Sequence, residues 1–225
     1  MSELIVYALV AGVIMVLVGF PIHEFMHAFT AYRLGDSTAR WQGRLTLDPR
    51  KHFDPLGGSM LFLSALLSGG RFFFGWAKPT PVNPMNLAGG RRGEALVAAA
   101  GPVSNLVMAA VVSVPLRVIT ASPLLDEILT SWPAAFAYNV SVTFVSLNLL
   151  LFIFNLLPIP PLDGWRVLLS LAPPHVAYQL RGVEQYAFLG LFVILFAGGA
   201  IIGPILGFLL DLVLGPDAGI IGGLF

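Results

Sequence analysis

Residues Leu4 to Ile22 form a run of 19 residues without one charged side chain, and the two residues that follow are His23 and Glu24. At about 1.5 Å per helical residue the run reaches roughly 28 Å, close to the hydrocarbon thickness of a bilayer. Either a large core or lipid must cover such a segment, and the rest of the chain decides between them. It carries 12 Lys+Arg and 12 Asp+Glu in 225 residues, 11% charged. A soluble domain has about 25%. With a mean hydropathy of +0.86, too few charges exist to cover a soluble surface, and lipid is the natural solvent for much of the chain. The sequence describes an all-α polytopic membrane protein.

Zero net charge and the lack of a basic run exclude the electrostatic footprint of a nucleic-acid binder. The absence of cysteine excludes disulfides, thiolate zinc sites and cysteine nucleophiles, so any metal must be held by His, Asp or Glu. No Lys or Arg precedes the first apolar run and no small-residue cleavage site follows it, which predicts a retained span rather than a removable signal peptide.

Along the chain, the first helix is expected to continue past His23 to about Leu34, where Gly35-Asp36 stops it. Residues 36–52 are the most polar part, with Thr38–Leu47 read as strand or hairpin. A second apolar run covers Pro55–Gly70, and the proline-rich stretch 72–84 is predicted to be extended. Further helices are expected at about 92–119 and 133–157, then a short one at 165–171 and a last apolar segment at 183–214. This gives about five to six membrane helices including the short one, plus re-entrant extended or β segments. The chain reads as one integral-membrane domain over 1–225, with a core at about 4–172 and a C-terminal span at about 183–214.

Arg33, Arg40, Arg44, Arg50 and Lys51 follow the first span and nothing basic precedes it, which places the N-terminus outside the cell membrane and residues 33–51 in the cytoplasm. Arg91 and Arg92 start the next long helix from the same side. The stretch 53–90 then enters and leaves on one side, and non-helical backbone at that depth must line protein or a wet cavity.

His23-Glu24-Phe25-Met26-His27 is an HExxH pattern in a helical stretch. Positions i and i+4 share a helix face, so both imidazoles can reach one ion, with Glu24 turned toward a water on it. With four His in the chain, chance supplies such a pattern on the order of once in a thousand sequences of this composition. A third ligand is needed, and His52 and His175 lie at interfacial turns, so Asp163 is the stronger candidate. Prolines at 158, 160 and 161 break the backbone before it and Gly164 follows it. An N-cap for the next helix is its other reading. If 53–90 is re-entrant, the first and fourth long helices run in the same direction, and Asp163 comes level with His23 and His27.

These motifs, with Phe74-Gly-Trp-Ala-Lys-Pro-Thr-Pro-Val-Asn-Pro84, Gly101-Pro-Val-Ser-Asn105 and Asn155-Leu-Leu-Pro-Ile-Pro-Pro-Leu-Asp-Gly164, resemble the site-2 protease family of intramembrane zinc metalloproteases. The match is to the small prokaryotic form without a PDZ domain. It spans residues 20 to about 170 in the family's order. The resemblance implies one catalytic Zn2+ held by His23, His27 and Asp163, Glu24 as the catalytic base, and transmembrane proteins as substrates. It also places the Asn105 and Asn155 motifs near the active site, which the distribution of basic residues puts toward the cytoplasmic side.

Peptide hydrolysis in a bilayer requires an unwound substrate, and extended backbone around Gly75 and Trp76 offers an edge with which a substrate could pair. Asn155 either holds substrate backbone or an oxyanion, or bonds between helices; the second use is the stronger for Asn105. Gly199, Gly203 and Gly207, followed by Asp211 at the same spacing, predict a ridge for internal packing, with a homodimer contact as the other use. Intramembrane His, Glu and Asp also mark metal-ion or proton transporters, and a dead enzyme could serve as a helix-binding scaffold. The Glu directly after the first His favours hydrolysis, because transport does not need it.

Overall fold

The computed structural model describes residues 3–69, 73–197 and 199–216. α1 (Glu3–Ile14) passes through a π-helical stretch (Met15–Gly19) into α2 (Phe20–Arg33) without leaving helical geometry. Gly35 then takes a positive φ of 102°, which ends the helix. Two short helices, α3 (Thr38–Trp41) and α4 (Pro49–His52), precede α5 (Pro55–Leu67). The strand or hairpin expected at 38–47 is absent: Asp36 takes hydrogen bonds from the Thr38 amide and hydroxyl, 3.0 and 2.5 Å, and starts a helical turn instead. No strand occurs among the described residues.

Residues 73–83 form no helix, strand or turn; Pro84, expected to be extended with them, instead opens a short 3-10 turn (Pro84–Asn86), because Asn83 Oδ1 accepts from the Met85 amide, and residue 72 lies outside the described residues. α6 (Arg91–Thr120), α7 (Leu124–Thr130) and α8 (Trp132–Leu156) follow, then α9 (Asp163–Leu171) and α10 (Pro174–Leu180). In the last apolar segment the described residues form α11 (Ala187–Ala197) and α12 (Gly199–Leu214), and residue 198 between them lies outside the described residues. Among the described residues, three helical stretches are long and apolar enough to cross a membrane: Ile5–Arg33, Arg91–Thr120 and Trp132–Leu156.

α6 shows why lipid is the solvent. Val103, Val107, Val111, Val114 and Val118 form an exposed stripe at helical spacing, whereas its buried face carries Ser104, Asn105 and Ser113. A water-soluble helix has the opposite arrangement. This is a membrane protein. α6 packs on α2, α8 and α9, the helices that carry the histidines, Asn148 and Asp163.

The C-terminal helix corrects one expectation. α12 buries Ile202, Leu206, Leu210 and Leu214, which join Val145, Leu149 and Ile153 of α8 in a core cluster. Gly199, Gly203 and Gly207 lie off this face, and a Cβ added to any of them would meet nothing within 4 Å. Among the described residues, nothing packs against the glycine ridge. The branched side chains supply more apolar area, and they take the contact.

Candidate metal centre

His23 and His27 lie one helical turn apart on α2, both buried, and their Nε2 atoms are 3.1 Å from each other. Asp163 is the first residue of α9, and its side chain caps nothing. It turns instead to the histidines, with Oδ2 at 3.3 Å from His23 Nε2 and 3.2 Å from His27 Nε2. The structure thus brings together the three residues singled out in the sequence as a ligand set, and the N-cap alternative for Asp163 is not what it adopts.

The imidazole protons can be assigned by following the hydrogen bonds from a backbone carbonyl. The Phe144 carbonyl can only accept, so at 2.9 Å it fixes the Asn148 amide nitrogen. Asn148 Oδ1 then accepts from Asn105 Nδ2 at 3.3 Å, which leaves Asn105 Oδ1 facing His23 Nδ1 at 2.6 Å. His23 therefore carries its proton on Nδ1. His27 does likewise, donating from Nδ1 to the Val97 carbonyl at 2.7 Å.

With both protons on Nδ1, two Nε2 lone pairs and a carboxylate oxygen face one another, and a shared cation satisfies all three. Their separations of 3.1–3.3 Å also suit one small ion. Four-coordinate zinc with donors at about 2.0–2.1 Å sets donor pairs about 3.3 Å apart. Gly101 makes the approach possible: a Cβ there would lie 2.6 Å from His27 Cε1 and 2.7 Å from His23 Cε1.

Glu24 is buried and held by the extended segment. Its Oε2 accepts from the Thr80 amide at 2.7 Å, and the Thr80 hydroxyl donates to the Glu24 carbonyl at 3.0 Å. No other hydrogen bond to its carboxylate is found among the described residues. Three more amides of this segment are bonded: Phe74 N–H to Ser64 Oγ at 2.8 Å, Lys78 N–H to the His52 carbonyl at 2.8 Å, and Asn83 N–H to Asp36 Oδ2 at 2.7 Å. Gly75 lets it lie against α5, since a Cβ would sit 2.6 Å from the Gly57 carbonyl oxygen and 2.7 Å from Leu61 Cβ. Trp76, 38% exposed, is on the same stretch.

Asn105 belongs to the metal centre's support. Asn155 is not drawn into the cluster: its Nδ2 bonds the Leu151 carbonyl of its own helix at 3.1 Å. Sequence reasoning missed Val97, Thr80 and the supporting role of Asn148. Val97 and Thr80 act through backbone groups, which every residue possesses, so no side-chain signal marked them. Asn148 sits seven residues before Asn155 in an apolar helix, and its polarity there was the available signal.

Apolar helices that bring two buried histidines and a half-buried carboxylate together define a membrane protein with a cluster that could hold a metal ion. The chain is 40% identical over 197 residues to "Putative zinc metalloprotease YwhC" of Bacillus subtilis, covering 86% of this chain and 84% of that one. It is 36% identical over 184 residues to a Rip2 protein of Mycobacterium tuberculosis and 33% over 181 residues to one of Mycolicibacterium smegmatis, both named in the same words. These alignments cover 80% of this chain and 64% of each Rip2 protein. No family model matches. No solved structure matches. The chain belongs to the zinc metalloprotease family that includes YwhC, and its cofactor is zinc.

Proposed function

We propose that this protein is an intramembrane zinc endopeptidase of the site-2 kind, cutting transmembrane segments of other proteins in the cell membrane. The observation that carries the reading is the convergence of His23, His27 and Asp163 beside a buried Glu24, in a chain whose exposed helix faces are apolar. The two histidines and Asp163 would hold the metal. When bound, zinc supplies Lewis acidity that polarises a scissile carbonyl.

Glu24 is the general base. Its Oε2 is engaged by Thr80, and Oε1 is left to take a proton from the attacking water and return it to the amine nitrogen as the C–N bond breaks. Residues 73–83 form the substrate-facing edge. Amides of residues 74, 78 and 80 are turned into the protein, while Gly75 and Ala77 amides have no backbone partner among the described residues. Residues 79 and 81 are prolines with no amide to offer. An extended substrate would thus find donors at 75 and 77. Asn155 Oδ1, unpartnered among the described residues, is a further acceptor for substrate backbone.

In topology, the first span runs inward and 53–90 is re-entrant, so that α2, α8 and the start of α9 meet on the cytoplasmic side. Five to six spans in one domain result when α5, α11 and α12 are included.

The test is cleavage of a model transmembrane substrate by purified protein. Glu24→Gln is expected to lower kcat by about 10²–10⁴ with zinc retained. Replacing Gly75 with Val should lower cleavage at unchanged zinc content. Native rates in Glu24→Gln would overturn the proposal.

A further inference from the structure

Arg44 sits in the polar connector between α3 and α4, only 5% exposed. No carboxylate lies within ion-pair distance of it among the described residues, although a buried charge without compensation is costly. Its Nη2 donates to the Lys78 carbonyl at 2.5 Å and the Pro79 carbonyl at 2.8 Å, and its Nη1 is buried without a partner among the described residues.

The Pro79 carbonyl and the Thr80 amide are the two ends of one peptide unit. That unit is trans, so they point to opposite sides. On one side is the Arg44 guanidinium, and on the other, at 2.7 Å from the Thr80 nitrogen, is Glu24 Oε2. A cation on the oxygen and an anion on the N–H polarise the amide in the same sense, and each bond strengthens the other. Burial pulls the Arg44 pKa down, and the Glu24 charge opposes that pull, as expected of two charges that feel each other across the amide.

We propose that Arg44 is a positioning residue for Glu24, acting through the Pro79–Thr80 peptide. The inference rests on the reading of Glu24 as the base. It differs from a general role in holding the connector, because the segment keeps its bonds to Ser64, His52 and Asp36 without Arg44. Removing the guanidinium should spare the segment's path and weaken the hold on one carboxylate oxygen.

The experiment uses the full zinc-loaded chain and a transmembrane substrate, with Arg44→Ala, Arg44→Lys, Thr80→Pro and the double variants. Thr80→Pro deletes the N–H, and Thr80→Val controls for the hydroxyl. Arg44→Ala should lower kcat about 10–100-fold at unchanged KM and zinc content. Arg44→Lys, which keeps the charge and loses the fork, should recover part of it. In the Thr80→Pro background the same alanine substitution should change kcat less than about twofold. Effects that multiply, or a loss carried by KM, overturn the proposal. Amide exchange at Thr80 in metal-free protein gives a second readout: Arg44→Lys should speed it, and unchanged exchange counts against the link even if Arg44→Ala fails to fold. A fully active Glu24→Gln would instead sink the base reading, with the exchange result still reporting on the peptide link.

Discussion

Two ladders of four-residue spacing lie on different helices of this protein. Val97, Gly101 and Asn105 follow one face of α6, and Gly199, Gly203 and Gly207 follow one face of α12. The second is the more regular in sequence, yet among the described residues a Cβ added to any of its glycines would meet nothing within 4 Å. The first is chemically mixed, and it frames the histidine pair: a carbonyl for His27, a gap for both rings and an amide oxygen for His23. Small-residue spacing permits close approach but does not cause it. Approach happens where the partner brings groups that must be placed.

The largest test of this contrast is Gly101→Ala. Its methyl would occupy the space of both imidazole edges, so zinc affinity should fall by more than about 100-fold and cleavage with it. Metal content after purification checks this directly. Full zinc occupancy in the variant would mean that the rings can retreat and that the α6 ladder is not a fitted surface.

Asn105→Leu removes the acceptor that fixes the His23 proton without adding bulk against the ligands. Loss of one supporting hydrogen bond should lower zinc affinity by about 10–100-fold, measured by competition with a chelator. Asn148→Leu, one bond farther out, should show a smaller loss of the same kind. Equal losses would instead indicate that the two asparagines act as one unit.

How much of this was legible follows from which groups carry it. HExxH specifies side chains on one helix face, so His23, Glu24 and His27 could be read from a single turn. Asp163 was reached through the proline break and helix direction, which are properties of the chain. The Val97 carbonyl and the Thr80 amide are generic backbone and gave no signal. The expected strand at 38–47 failed because Asp36 competes for the local amides, and propensity had no knowledge of that bond. The glycine ridge failed because spacing was taken for contact.

Asp36 offers a test of the tether rather than of the ligands. It is fully buried, and burial alone would raise its pKa. Hydrogen bonds from the Thr38 hydroxyl, Asn83 N–H, Asn86 side chain and Thr38 N–H outweigh that and lower it. A carboxylate with a lowered folded pKa contributes stability that is complete above its unfolded value, about 3.9. That contribution is lost as pH falls through the folded value. The thermal midpoint in detergent should therefore drop more steeply below about pH 4 in the native chain than in Asp36→Asn, which should start lower at pH 7. Parallel curves would show that Asp36 is not the acid-sensitive tether between α2 and the extended segment.

The smallest expected effect completes the contrast. Gly203→Ala adds a methyl that meets nothing within 4 Å, on a helix whose packing face is Ile202, Leu206, Leu210 and Leu214. In a soluble helix the exchange favours folding by about 1 kcal/mol, through backbone entropy and exposure to water. Lipid already drives backbone groups to bond within the helix, so the gain here should be smaller, within about 0.5 kcal/mol of zero. Zinc content and cleavage should be unchanged. Stability in detergent should show no dependence on protein concentration that the native chain lacks. A loss of several kcal/mol, or a concentration-dependent change, would mean that a second copy of the chain occupies the ridge, and that both ladders are fitted surfaces serving different partners.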